Sequence, residues 1–470
     1  MRRKTKIICT LGPSSSAPDV LDSLIATGMD AARINFSHGS HESNGKLYNK
    51  FRQAAQKAGH PLPIMGDLQG PRIRVGEIDG ALELAAGEVV VLSSNEEKAS
   101  GNRIGTTYHS LARDLYPGVS VLLNDGLLRL RVEDIKGEDV HCRVEAGGTL
   151  TSHKGINLPE IAISEPPLTD KDLEDLKFLI AQGFDFVALS FVQRPEDVSG
   201  LKEIIEKAGS RMQVIAKIEK PAALEQLDAI LAVSDGVIVA RGDLGVELGV
   251  ERVPAAQKRI LRAAGKGSVY SITATQLLES MSKALVPTRA EASDVANSVF
   301  DGTDALLFTG ETAAGRYPVE TVATGAKIVT EAESSMEAWG DRTMLRHQAA
   351  ANFSEAICHA AADAARDLNA AAIVVGSQSG RTALLMSKFR PPMPIVAISD
   401  REDAVRRMNG FCGVCPVMLP NMQKLEESVN AAARYLLESG TCCKGDVAVM
   451  TFGAPLSERG GTNTMRLVQL

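Results

Sequence analysis

Ile215-Ala216-Lys217-Ile218-Glu219 is an apolar run that delivers an ammonium and then a carboxylate. Residues two apart in a strand point the same way, so Lys217 and Glu219 project together from its C-terminal end. Burying that ammonium is costly unless something uses it. Further along, a second apolar run, Gly236-Val237-Ile238-Val239-Ala240, leads into Arg241-Gly242-Asp243-Leu244-Gly245 and puts another carboxylate at another strand end. A lysine and two carboxylates at neighbouring strand ends suit a magnesium ion and a developing negative charge, because magnesium takes few protein carboxylates and leaves positions for substrate oxygens. An ordinary strand-end ion pair explains Lys217 and Glu219 equally well when they are taken alone.

Around this pair a grammar repeats: a short strand rich in Val, Ile and Ala, a polar turn, then an amphipathic helix. The expected strands are Lys6 to Gly12, Ala31 to Phe36, Pro63 to Leu68, Phe184 to Ser190, Gln213 to Glu219, Gly236 to Asp243, Ser268 to Gln276 and Asp304 to Glu311. Pro18, Pro195, Pro221 and Pro318 sit where first helical turns begin, and Thr169-x-x-Asp172 is a capping box. Eight such units specify a (β/α)8 TIM barrel, whose active site lies at the C-terminal ends of the strands. The polar residues at those ends therefore converge on one mouth.

Between the third and fourth strands the text changes to alternating strand patterns and turn dipeptides, such as Asn124-Asp125-Gly126, Lys136-Gly137 and Gly147-Gly148. That is a small inserted all-β domain, leaving from and returning to the catalytic end, and so placed to act as a lid. After a break with few apolar residues, Trp339-Gly340-Asp341-Arg342-Thr343, a C-terminal α/β domain with its own core pattern follows. It reads as helix Ser354 to Leu368, strand Ala371 to Val375, a helix from Gly380, strand Pro394 to Ile398, helix Met422 to Leu437, strand Val447 to Phe452 and a terminal Met465 to Leu470. The expected division is 1–70 with 168–338 for a discontinuous barrel, 71–167 for the lid and 345–470 for the C-terminal domain.

Composition bounds the function classes. The 470 residues are 44% apolar, 23% charged and only 4% aromatic, with net charge −7 and no basic tract. Nucleic acid and anionic membrane are poor partners for such a chain, and few aromatics are available for stacking on bases. Met1 to Lys6 is basic but runs straight into a strand, without the apolar core of a signal peptide, and no run reaches the roughly 18 apolar residues of a membrane span. Seven scattered cysteines fit reduced thiols in a cytoplasm. Cys412-Gly413-Val414-Cys415 has redox or zinc spacing, but no second pair with ligand spacing accompanies it, which favours buried thiols.

The remaining strand ends are polar as well. Ala31-Ala32-Arg33-Ile34-Asn35-Phe36-Ser37-His38-Gly39 puts Arg33, Asn35 and Ser37 on one face, an arginine with two neutral oxygen donors that suits a phosphate plus a cation. The third strand ends in Gly66-Asp67-Leu68-Gln69-Gly70-Pro71-Arg72, and the seventh gives Thr273-Ala274-Thr275-Gln276. These residues resemble the pyruvate kinase family. The resemblance rests on Asn35 to Gly39, Gly66 to Pro71, Lys217 to Glu219, Ala240 to Gly245, Ala274 to Gln276, Pro287-Thr288-Arg289-Ala290-Glu291 and Asp301-Gly302-Thr303-Asp304-Ala305, which occur in family order along nearly the whole chain.

The resemblance implies phosphoryl transfer from phosphoenolpyruvate to ADP in glycolysis, giving pyruvate and ATP, chemistry that is mostly positioning and charge neutralisation. By match, Glu219 and Asp243 hold Mg2+, with Mn2+ a possible substitute. Arg33 clamps the phosphoryl group and Lys217 stabilises charge on the phosphoryl and enolate oxygens. The amides of Gly242 and Asp243 and the Thr275 hydroxyl bind the carboxylate. Asn35, Phe36, Ser37, His38, Arg74 and Lys154 contact the nucleotide. The donor of the proton that completes pyruvate is not named by the sequence. The family's K+ ligands correspond to Asn35, Ser37, Asp67 and the carbonyl of Leu68. Members that need K+ carry glutamate after Gly-Pro, whereas here Arg72 stands there, and a fixed guanidinium substitutes for the cation, so little or no K+ requirement is expected. A milder departure, Gly267-Ser268-Val269-Tyr270-Ser271 where the family usually reads Lys-Pro-Val, falls at a buried strand start.

The loop Gly376-Ser377-Gln378-Ser379-Gly380-Arg381-Thr382 enters a helix, with exposed amides, hydroxyls and an arginine suited to an anion. In the family this loop takes an effector's phosphate, and Gly460-Gly461-Thr462-Asn463-Thr464 resembles its closing loop. A sugar phosphate or nucleoside monophosphate is therefore the expected allosteric activator, at Ser377, Gln378, Ser379, Gly380, Arg381 and Thr382. The family also implies a homotetramer. Two other readings compete: a magnesium-dependent barrel lyase, which has no use for a lid over a nucleotide, and a non-catalytic sugar-phosphate sensor, which predicts decay at a barrel mouth where Arg33, Lys217, Glu219, Asp243 and Thr275 all stand.

Overall fold

The computed structural model describes residues 3–96, 98–159, 161, 163–336, 352–420, 424–454 and 461–470. Trp339 to Thr343, positions 338 and 345, Met422 and Gly460 lie outside the described residues. Eight parallel strands close into a barrel: β1 Lys6–Thr10, β2 Ala31–Asn35, β3 Ile64–Asp67, β4 Phe186–Leu189, β5 Gln213–Ile218, β6 Gly236–Ala240, β7 Tyr270–Ala274 and β8 Ala305–Phe308. Each pairs with its neighbours in chain order, and β8 pairs with β1.

Strand alternation sorts the side chains into two cores. Val214, Ala216 and Ile218 of β5 face the surrounding helices, while Ile215 faces the barrel interior with Ile8, Met65, Ala188, Ile238, Ile272 and Leu307. The helices begin where their sequence signals stand. Pro18, Pro195, Pro221 and Pro318 each occupy a first turn, and Thr169 and Thr288 form capping boxes with Asp172 and Glu291. Gly66 is required by close approach: a β-carbon there would lie 2.3 Å from a methyl of Leu179 on the helix Asp170–Gln182.

Two strand expectations are corrected. The run Gly236 to Asp243 is a strand only to Ala240; Arg241–Leu248 is a helix, so Asp243 belongs to a helical first turn. Pairing with β7 stops at Ala240–Ala274, and the chain then turns to bring amides toward the mouth. Likewise β8 stops at Phe308, and Glu311 lies in the short helix Gly310–Ala313, where its buried carboxylate accepts from the amides of Leu278 and Thr309.

Between β3 and β4 the chain forms a six-stranded sheet and a two-stranded sheet around a separate apolar core. It is not wholly β, since Leu111–Asp114 makes one helical turn. The long hairpin Leu128–Lys136 and Asp139–Ala146 and the turn through Asn124, Asp125 and Gly126, all at positive φ, follow the turn chemistry of the sequence.

The C-terminal sheet runs in the order Val414–Met418, Ile395–Ser399, Ala372–Gly376, Val447–Phe452, Thr464–Gln469, parallel except for the last strand. Its core is continuous with the barrel interior: Phe411 packs edge-on against Tyr270 at 5.3 Å between ring centroids, and Tyr270 stacks on Phe186 at 5.8 Å. These aromatics lie at the N-terminal ends of β4 and β7, so the C-terminal domain plugs the end of the barrel opposite the strand-end polar groups. Cys412 is buried and Cys415 half-buried on an edge strand. Among the described residues, no cluster of three or more His, Cys, Asp or Glu side chains could hold a metal ion.

Candidate active site

The interior face of the barrel is apolar through most of its depth and turns polar at the C-terminal strand ends. Arg33 follows Ala31, Asp67 follows Met65, Ser190 follows Ala188, and Lys217 and Glu219 follow Ile215, all with inward parity. Together with Asn35, Ser37, Arg72, Asp243 and Thr275 they line a cavity of about 210 Å3.

Asp67 is the hub of the mouth and is 1% exposed. Its Oδ2 accepts from Arg33 Nε at 2.8 Å and Nη2 at 2.5 Å, and its Oδ1 lies 3.3 Å from Lys217 Nζ. Burial alone would raise the Asp67 carboxyl, but Arg33 and Lys217 outweigh burial and hold it below the usual range. Arg33 also donates to the Thr10 hydroxyl at 3.1 Å, which fixes the plane of its guanidinium. Lys217 donates to Ser190 Oγ at 2.8 Å and sits 2.8 Å from Glu219 Oε1. Burial opposes its charge, yet Asp67 and Glu219 overcome it and hold the ammonium well above its ordinary value. The lysine is a fixed positive charge.

Glu219 Oε2 accepts the Phe191 amide at 2.7 Å. Its carboxyl is pushed up, chiefly by burial and then by the facing Asp243 against the pull of Lys217. Two carboxylates repelling each other across a cavity form a hard-oxygen donor pair, and Asp243 is a third exposed. That set fits a magnesium ion whose other positions go to water and substrate. Arg72 reaches the same space, with Nη2 3.9 Å from Asp243 Oδ1.

Thr275 and Gln276 hold positive φ of 68° and 51°, and Phe191 holds 56°. Non-glycine residues in that region store strain where the surroundings over-determine them, and Phe191 and Thr275 line the mouth. Thr275 Oγ1 accepts the Gly242 amide at 2.7 Å, so the hydroxyl and the start of the helix Arg241–Leu248 are one unit.

Not every sequence-derived residue meets at this cavity. The Phe36 ring turns into the wall against Phe178 and Phe184, leaving its main chain, whose carbonyl takes Lys171 Nζ at 2.7 Å. His38 is exposed in the turn after β2. Arg74 and Lys154 lie side by side in the inserted β region, Arg74 donating to the His153 carbonyl at 3.0 Å. The loop Ser377 to Thr382 is in the other domain, where Gly380 takes φ 90°, its amide donates to Ser377 Oγ at 3.0 Å, and Thr382 meets Thr462 at 2.9 Å.

Sequence reasoning missed Ser190, which bonds Lys217, and Arg241, which is 8% exposed and binds the carbonyls of Ala274, Thr275 and Gln276. A hydroxyl at an apolar strand's end was the available signal for Ser190. Nothing local distinguishes Arg241 from a surface arginine.

A family model described as the pyruvate kinase barrel domain matches residues 2–322, and one described as the pyruvate kinase alpha/beta domain matches 355–468. The chain belongs to the pyruvate kinase family. Pyruvate kinases of Staphylococcus aureus (strain MRSA252) and Geobacillus stearothermophilus are each 41% identical to it over 99% of this chain and 80% of their own length. A pyruvate kinase crystal structure from Cryptosporidium parvum superposes with a TM-score of 0.94 at 35% identity, covering 99% of this chain and 96% of that one. The protein is thus a phosphotransferase of the family whose substrates are phosphoenolpyruvate and ADP and which requires a divalent metal. No helix among the described residues is long and apolar enough to cross a membrane.

Proposed function

We propose that this pyruvate kinase works at the Asp67-centred mouth, with Lys217 and Arg33 as its catalytic cations and with little or no need for K+. The observation that carries the reading is the convergence of two fixed cations on one buried carboxylate beside the facing carboxylates Glu219 and Asp243.

Phosphoryl transfer breaks the bond between phosphorus and the enol oxygen and forms one to the terminal phosphate oxygen of ADP; the enolate left behind then takes a proton at carbon. Arg33, planar and braced on Asp67 and Thr10, orients the phosphoryl oxygens. Lys217 is held charged and stabilises the negative charge that grows on the bridging oxygen. The Gly242 and Asp243 amides and the Thr275 hydroxyl hold the carboxylate end. Asn35, Ser37, His38, the Phe36 main chain, Arg74 and Lys154 take the nucleotide when the lid approaches. Glu219 and Asp243 are the residues for Mg2+ or Mn2+, which when bound neutralises phosphate charge.

For the monovalent cation, Asn35, Ser37, Asp67 and the Leu68 carbonyl supply the right oxygens. Both Asp67 oxygens already face protein cations, however, and the Leu68 carbonyl accepts Ser190 Oγ at 2.8 Å. Arg72 adds a third positive group. The reading extends to a cytoplasmic homotetramer with the barrel, lid and C-terminal limits given above, activated by a sugar phosphate or nucleoside monophosphate at Ser377, Gln378, Ser379, Gly380, Arg381 and Thr382. The small-residue loop at the start of Arg381–Lys388 supports that, because it leaves the central strand where the strand order reverses, the usual place for a ligand in such sheets.

The test is pyruvate formation from phosphoenolpyruvate and ADP with magnesium, in buffer free of Na+ and K+, then with K+ added. Full activity in both conditions supports the kinase and its independence of K+. Activity only with K+ keeps the kinase and removes the role given to Arg72, and no activity in either, even with sugar phosphates present, removes the kinase.

A further inference from the structure

Lys220 and Glu247 form a buried ion pair beside the mouth. Nζ lies 2.9 Å from Oε1, and the two side chains are 3% and 1% exposed. Asn157 Nδ2, from the inserted β region, donates to the same oxygen at 2.8 Å, and Lys220 also donates to the Leu158 carbonyl at 3.4 Å. The other oxygen, Glu247 Oε2, is buried with no protein donor among the described residues. The cavity that the pair lines, with Arg72, Phe191 and Asp243, is only about 20 Å3. That is room for about one water, so the pair is not a metabolite site.

A buried ion pair with an oxygen left over is a poor source of stability, because desolvation offsets much of its attraction. Its place in the chain is what sets it apart. Lys220 follows Glu219 at the entry of the helix Pro221–Glu225, and its extended backbone, φ −119° and ψ 145°, sends its side chain away from that of Glu219. Glu247 stands one helical turn after Asp243 on the helix Arg241–Leu248. The pair therefore ties together the two segments that carry the facing carboxylates. The inserted region closes the clasp. Asn157 ends the strand Ile156–Asn157, and Gly126 rests on the same helix, where a β-carbon would lie 3.6 Å from a methyl of Val246.

We infer that Lys220 and Glu247 are positioning residues for the divalent metal: they hold Glu219 and Asp243 in register for one ion, and through Asn157 they make that register depend on the seat of the inserted region. The inference rests on Glu219 and Asp243 being the metal's carboxylates. Two negative side chains that face each other repel, and a rigid frame behind them keeps both aimed at one point. The coupling runs both ways, so a metal that fixes the carboxylates steadies the inserted region through the same side chains.

Mn2+ binding to the whole protein without substrate, read by electron paramagnetic resonance, tests this with wild type, Glu219→Gln, Asn157→Ala and the double variant Lys220→Met/Glu247→Met. The double variant removes both charges together and leaves no unpaired buried ion, so its melting temperature is expected to stay within about 5 °C of wild type. Its Mn2+ affinity is expected to fall about 10–100-fold, the range for partners that orient metal ligands. Asn157→Ala, which leaves the ion pair whole, is expected to lose about threefold or more on the same ground. Hydrogen exchange gives a second readout: Mn2+ slows exchange at Ile156 to Leu158 in wild type and not in the double variant. Wild-type affinity in the double variant, with Glu219→Gln binding weakly, overturns the inference and leaves the metal reading standing. Wild-type affinity in Glu219→Gln overturns the metal reading and this inference with it. Unchanged affinity and exchange in Asn157→Ala remove the part given to the inserted region. Should the double variant not fold, Glu247→Gln, which keeps the shape and can still accept from Asn157, decides by the same loss or retention of Mn2+ affinity.

Discussion

Lys217 shows how one residue acquires a function from its surroundings. An isolated buried ammonium gives up its charge, but this one sits between Asp67 at 3.3 Å and Glu219 at 2.8 Å and keeps it. Lys217→Met, nearly the same length without charge, is expected to lower kcat by about 10²–10³-fold, the scale of losing one transition-state electrostatic partner, with far less change in the KM for ADP. Steady-state kinetics at saturating magnesium checks it, and an unchanged kcat removes Lys217 from the chemistry. Arg72 is the counterpart for which a cation-replacing role is proposed, with Nη2 3.9 Å from Asp243 Oδ1. Arg72→Glu replaces a guanidinium near Asp243 with a carboxylate and is expected to create a K+ requirement: little activity without the ion, recovery with it, and no such dependence in wild type. A variant equally active with and without K+ would mean that no cation, protein or ionic, is needed there.

At the scale of elements, the seam between the helix Arg241–Leu248 and the turn after β7 forms one edge of the mouth. Thr275 and Gln276 adopt a backbone that costs about 1–3 kcal/mol each for residues with side chains, and the Arg241 fork on three successive carbonyls, braced by Asp294 at 2.6 Å, holds them there. Arg241→Gln is expected to raise the KM for phosphoenolpyruvate about tenfold or more, with a smaller drop in kcat, and to lower stability by about 1.5–3 kcal/mol, as for hydrogen bonds to a charged group. An unchanged KM would make Arg241 purely structural. The sequence carried the barrel because its signals are local: period-two apolar runs, prolines in first turns and a capping box at Thr169 all act within a few residues. The same locality explains the failures. Arg241 to Asp243 continues an apolar run and reads as strand, while the end of pairing that makes it helix is a tertiary fact. The helix Glu402–Asn409 is short and offers only Ala404, Val405 and Met408 as apolar positions, and Val414–Met418, a half-exposed edge strand containing Pro416, lacks a strand's usual alternation, so neither was expected. Arg33, Asp67, Lys217 and Glu219 were legible because strand parity puts them all inward, whereas Asp243 sits in a helical first turn. Which of them touch, and that Asp67 is their hub, depends on strands distant in sequence.

For the whole molecule, the question is what joins the C-terminal domain to the barrel firmly enough for one to inform the other. At the centre of that junction Asp304, at the start of β8 and fully buried, accepts from Lys388 Nζ, from Arg390 Nη2 at 2.9 Å and from the Ser271 amide at 2.8 Å. Around it Lys6 donates to the Val414 carbonyl at 3.0 Å, Asn409 to the Asp30 carbonyl at 2.9 Å and Arg406 to Asp185 at 2.8 Å. Burial alone would raise the Asp304 carboxyl, but Lys388 and then Arg390 hold it below the usual range. A carboxyl depressed in the folded state contributes stability above its unfolded value of about 3.9 and loses that contribution as pH falls through the folded value. Asp304→Asn leaves the buried Lys388 and the half-buried Arg390 facing a neutral amide and is expected to cost about 3–5 kcal/mol at neutral pH, as for breaking a buried pair on one side. Lys388→Met, which leaves Arg390 on the carboxylate, costs less. Scanning calorimetry over pH 3 to 8 reads both effects: wild type loses its margin over Asp304→Asn as the pH approaches 3, and an unchanging gap between them would show that the carboxylate's charge is not what joins the domains. Because the junction is buried and hydrogen-bonded on every side, displacement of one domain carries the start of β8 with it, and β8 is hydrogen-bonded to β7, whose end is the Thr275 turn.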